Sequence, residues 1–89
     1  MILFRNEDDA YFSWLEAHFH DGYVINCYRK PTPAYLVFHK ANCHHIQRWE
    51  DHTSTGGDYA KVCSIREQEL RDWAGEIGGP LTPCGSCQP

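Results

Sequence analysis

The chain has 89 residues, 42% hydrophobic and 13% aromatic, with a formal net charge of −4. That length allows one domain with a thin core, because a chain of this size buries only about 60–65% of the surface its unfolded form exposes. The composition excludes a disordered chain, and no run approaches the ~20 apolar residues of a membrane span.

The opening MILFRNEDD turns acidic too soon to supply a signal-peptide core, so a cytoplasmic protein with reduced thiols is expected. Asn6 reads as an N-cap, with Glu7, Asp8 and Asp9 in the first helical turn where the dipole favours anions. Phe12, Leu15 and Phe19 follow at helical spacing, with Tyr11 beside Leu15, and Asp21-Gly22 ends this helix. GYVINCYR is β-rich, placing Tyr23, Ile25 and Cys27 on one face and Val24, Asn26 and Tyr28 on the other. After the KPTP turn, AYLVFHK completes a hairpin; ANCHHIQ suits a short helical turn and Trp49–Asp58 a polar, Gly-rich loop. YAKVC is a third strand. Ser64-Ile65-Arg66-Glu67 then has the S-x-x-E form of a capping box, and Leu70, Trp73, Ala74 and Ile77 make an apolar stripe that Gly78-Gly79-Pro80 stops. The expectation is a single α+β domain over residues 1–89: an N-terminal helix, an antiparallel sheet of about three strands, and a second helix before a C-terminal CxxC knuckle.

Small domains often need a staple, and five cysteines with six histidines offer one. An odd cysteine count suits metal better than disulfides. Cys84-x-x-Cys87 has the spacing with which two thiolates grip one ion, and His39-x-x-x-Cys43 supplies a second pair. The expected site is one structural Zn²⁺ on His39, Cys43, Cys84 and Cys87, with Cys63 as an alternative to His39. A redox role for the same CxxC needs a helix after it to lower the first thiol's pKa, and only Gln88 and Pro89 follow. Cys27 reads as core.

Charge is unevenly distributed. Between Gly22 and Arg48 stand Arg29, Lys30, Lys40 and Arg48 with no acidic residue, interleaved with Tyr23, Tyr28, Tyr35 and Phe38. Cations meet phosphates and rings stack on bases, so this segment, with His44 and His45, is the expected nucleic-acid contact. The acidic helices favour a protein partner instead. No phosphate-binding glycine loop, HEXXH or dinucleotide frame is present, and neither a small-molecule substrate nor an enzyme is expected.

LVFHKANC and TPCGSCQP together resemble the metal-binding domain of the Ada-type bacterial DNA methylphosphotriester-repair proteins, over roughly His39 to Pro89. That family's frame is C-x-x-x-C followed by PC-x-x-C-x-P, all four cysteines binding zinc. The resemblance implies a zinc domain accessory to a bacterial nucleic-acid-handling system. It also places the methyl-accepting cysteine at position 39, where this chain has histidine, so methyl-acceptor activity is not expected to carry over.

Overall fold

The computed structural model describes residues 1–44, 46, 55–85 and 87. In chain order the elements are β1 (Ile2–Phe4), α1 (Asp8–Ala17), β2 (Tyr23–Tyr28), β3 (Leu36–Lys40), β4 (Tyr59–Ser64), α2 (Glu67–Ile77) and β5 (Thr82–Pro83). They build one five-stranded sheet in the order β1-β4-β2-β3-β5. The pairs are antiparallel except β3–β5, which is parallel. The α+β class is as expected, but the sheet is larger and mixed. β1 and β5 are too short, at three and two residues, to show an alternating pattern in sequence.

Both sheet faces are covered, one helix to each. Alternation along β2 sends Ile25 and Cys27 to the α2 side, into a core with Leu36, Ala60, Val62, Leu70 and Ala74. Trp73 and Ile77 close that core, so the expected α2 stripe is the packed one. Val24 faces the opposite way, into a core with Phe4, Tyr11, Leu15, Cys63, Cys43 and Cys84.

The helix ends are held differently from the expected caps. α1 begins at Asp8, while Asn6 takes a left-handed φ of 52° outside it. Its first turn is fastened from far along the chain. Buried Thr55 donates through its backbone N–H (2.7 Å) and its hydroxyl (2.6 Å) to Asp8 Oδ1, and Thr55 Oγ1 accepts the Glu7 N–H at 2.8 Å. Phe19 lies beyond the helix and is exposed, leaving Tyr11 and Leu15 as the buried pair. At α2, Ser64 belongs to β4; its hydroxyl accepts the Arg66 N–H and donates to Glu69 rather than bracing Glu67. Gly78, with φ of 102°, terminates α2 in the left-handed conformation that glycine adopts without strain.

One buried row is polar. Asn26 pairs with Lys61 across β2 and β4, and Lys61 Nζ, wholly buried, donates to Asn26 Oδ1 at 2.8 Å. Burial lowers the Lys61 pKa from 10.5 to about 8. Its folded pKa lies below its unfolded one, so between the two the unfolded chain binds more protons and stability rises with pH. Measured against Lys61→Met, the native chain is expected to gain roughly 2–3 kcal/mol between pH 7 and pH 10, read as a shift in urea midpoints. Cys27 and Cys63, whose thiols burial pushes up, oppose this above pH 9 in both chains. Because the Lys61 charge acts on both thiols, their effects cancel only below that pH. A constant difference across that range would contradict the assignment.

Candidate metal centre

His39 lies on β3, on the same sheet face as Val24 and Cys63, in the row Cys63–Val24–His39. Just past the strand, a turn in which the Cys43 N–H donates to the Lys40 carbonyl (3.0 Å) folds Cys43 back toward it. The turn is anchored by Ala41, whose N–H donates to the Gly22 carbonyl at 2.9 Å. Gly22 has to be glycine here, because a Cβ would come within 2.7 Å of Trp14 Cη2 and 2.8 Å of the His18 carbonyl.

The second pair arrives along the outer edge of β3. β5 lies parallel to it, with Val37 opposite Thr82 and Phe38 opposite Pro83. Proline suits this edge strand, where a missing N–H costs no ladder bond. The ladder runs on past β5: the Cys84 N–H donates to the Phe38 carbonyl at 2.8 Å, and the Lys40 N–H points at Cys87 Sγ, 3.3 Å away. Strand pairing thus delivers the knuckle to its position and ends on one of its sulfurs.

The result gathers His39, Cys43, Cys84 and Cys87, whose candidate ligand atoms all lie within 4.8 Å of one another. Three of the four are buried and Cys87 is half-buried. Cys43 Sγ and Cys84 Sγ stand 3.8 Å apart. A disulfide needs about 2.05 Å, whereas two thiolates on a tetrahedral ion with bonds of about 2.3 Å stand about 3.8 Å apart. A Cys₃His set fits zinc, and a backbone N–H on a sulfur is the outer-shell contact that neutralises and orients a thiolate ligand. These four residues can therefore hold one zinc ion, and they are the four that the sequence spacing selects. Cys43 and Cys84 also belong to the α1-side core, so a metal here staples the core edge to both chain segments.

Cys63 is not part of the cluster. It sits on the same face but two strands from His39, about 10 Å at ordinary strand spacing, with Val24 between. It is fully buried in the α1-side core, and burial holds its thiol well above the ordinary range. Cys27 is likewise core, its pKa pushed up to about 11 by burial, and its Sγ donates weakly to the Ala60 carbonyl at 3.6 Å.

Among the described residues the expected basic patch does not form one surface. Lys40 and His44 are exposed beside the metal cluster. Arg29 and Lys30 follow the far end of β2, and Lys40 is paired with Tyr23 at its near end, so about 20 Å of strand separates the two groups. His45 and Arg48 lie outside the described residues, as does most of the expected loop at Trp49–Asp58. Arg29 and Lys30 instead stand beside a cluster of Tyr28, Tyr35 and Tyr59. Among the described residues no helix is long and apolar enough to cross a membrane. Comparison of the chain with protein-family models, curated proteins and solved structures found no match.

Proposed function

We propose that the chain is a small module held together by one structural zinc, which binds nucleic acid without catalysing a reaction and without accepting methyl groups. The observation that carries the zinc half is the convergence of His39, Cys43, Cys84 and Cys87 with a 3.8 Å sulfur–sulfur spacing. Four protein donors fill a tetrahedral ion, which leaves no position for the bound water of a hydrolytic zinc site. Where an Ada-type acceptor thiolate would stand, His39 presents imidazole, a far weaker nucleophile toward an alkyl group than a metal-activated thiolate. Exposed Arg29, Lys30, Lys40 and His44, together with the resemblance to the Ada-type domain, support the nucleic-acid half.

Fluorescence anisotropy of labelled DNA with the zinc-loaded protein, at several salt concentrations, tests this reading. Affinity is expected to fall steeply with salt, because each phosphate contact releases condensed counterion. Reversal of Lys30 or of Lys40 to Glu is expected to weaken binding and to reduce the logarithmic salt slope by about 1 for each cation that meets a phosphate. Absence of binding at low salt would overturn the nucleic-acid half. The second reading, a protein-docking module, draws on the outward face of α2, where Gln68, Asp72 and Glu76 are exposed.

A further inference from the structure

The end of the sheet remote from the metal cluster carries three tyrosines in mutual contact. Their ring centroids are 5.2 Å (Tyr28–Tyr35), 6.0 Å (Tyr28–Tyr59) and 5.8 Å (Tyr35–Tyr59) apart, and Tyr28 is tilted only 31° and 26° from its two neighbours. Tyr28 remains 40% exposed, although Val24 to Cys27 of the same strand are all buried. Tyr28 faces Tyr59 across β2 and β4, and Asn26 and Lys61 occupy the next row on the same face.

That polar row fixes how the cluster presents itself. An ammonium only donates, so the carboxamide oxygen of Asn26 faces Lys61 and its Nδ2 is left to donate to Tyr35 Oη, at 3.2 Å. Tyr35 Oη thus accepts from the interior, and its own proton is available to donate outward. Lys61 Nζ also lies 5.9 Å from the centre of the Tyr59 ring. A wholly buried ammonium is costly to folding unless it is paired, and here the Asn26 carboxamide oxygen and the Tyr59 ring both face Lys61. The same contacts hold the tyrosines in one geometry, with the Tyr35 hydroxyl accepting from Asn26.

The rim is cationic. Arg29 and Lys30 directly follow Tyr28 and are exposed. Arg5 Nε donates to the Arg29 carbonyl at 2.7 Å, and Arg29 Nη1 donates to Asn6 Oδ1 at 3.1 Å, so the two guanidinium groups are tethered at this edge. Asp58, whose carbonyl accepts the Arg29 N–H, is exposed here too and offsets one of the three charges.

We propose that the Tyr28–Tyr35–Tyr59 end of the sheet is a stacking platform for the bases of a single-stranded nucleic acid, with Arg29 and Lys30 on its phosphates. This rests on the nucleic-acid reading above and locates it away from the zinc. Bases in a duplex are stacked on each other and offer no free ring face, whereas unpaired bases stack on exposed aromatics with little regard to sequence.

The test uses the full zinc-loaded chain with three labelled probes: dT12, U12 and a 12-base-pair duplex. The platform is expected to bind a single strand at least ~10-fold more tightly than the duplex, and Tyr28→Leu to weaken single-strand binding by ~5- to 100-fold, the range seen for loss of one stacked base. Circular dichroism establishes that the variant is folded, and the tighter of dT12 and U12 shows which of the two strands the platform prefers. Equal affinity for strand and duplex, unchanged by Tyr28→Leu while Lys30→Glu still weakens both, would overturn the platform and leave the nucleic-acid reading standing on phosphate contact alone. Failure of all three probes to bind at low salt would overturn both.

Discussion

Replacing Cys84 by Ala is expected to abolish stoichiometric zinc binding and to bring the melting temperature tens of degrees below that of the zinc-loaded native chain. The side chain is small and the backbone bond from the Cys84 N–H to the Phe38 carbonyl is retained, so the loss isolates the sulfur. What disappears is the link between segments 41 residues apart, at a point where Cys43 and Cys84 are both part of the α1-side core. Structural zinc contributes an apparent ~10–16 kcal/mol in small domains, against a total stability of about 5–15 kcal/mol for a typical fold. A metal-free form at or below the threshold of folding follows from that comparison. Zinc content by atomic emission and melting by circular dichroism, each with and without chelator, measure it. Cys63→Ala is the control, expected to keep one zinc per chain because Cys63 lies outside the cluster. If the Cys84 variant melts within a few degrees of the native chain and chelator changes nothing, the four side chains are packing and not a metal centre.

The metal set was legible in sequence because thiolate chemistry restricts ligand spacing: two residues within a few positions of each other, twice, is a pattern that packing seldom produces. Spacing favoured His39 but left Cys63 as an alternative, since excluding it turns on which strands neighbour one another. β2 lies between β3 and β4, and that order separates Cys63 from the knuckle. β5 was hidden for a related reason. Two residues, one of them proline, are a strand only because β3 has a free edge to receive them. Lys61 escaped because alternation assigns a charged strand residue to solvent, and here both faces are covered. The basic segment misled in a similar way. Residues close in sequence along a strand are spread by about 3.3 Å per step, so Arg29 and Lys40 belong to opposite ends of the same hairpin. Helix α2 was the most transparent element, because its stripe, its glycine stop and its packing all follow from local pattern.

Phe38→Ala is expected to leave the protein folded only while zinc is bound, with the melting temperature of the loaded form lowered by roughly 15–30 °C. Phe38 is 1% exposed at the centre of β3, facing α2. Its ring meets Tyr23 edge-on at 5.7 Å, and the Arg71 guanidinium of α2 lies 5.1 Å from its centre. Truncating a buried phenylalanine costs about 3–5 kcal/mol, from lost transfer energy plus the cavity it leaves. The same residue's backbone carbonyl receives the Cys84 N–H, so its two ends join the α2-side core to the strand that carries the knuckle. A shift in β3 that fills part of the cavity therefore moves His39 and Cys84 together, and zinc affinity is expected to fall along with stability. Competition with a chromophoric chelator reads the affinity, and thermal melts with and without metal read the stability. A drop of less than about 5 °C, with unchanged zinc affinity, would mean that the core around Phe38 and the metal centre are mechanically independent. The combined loss is the outcome expected from the backbone bond between Phe38 and Cys84.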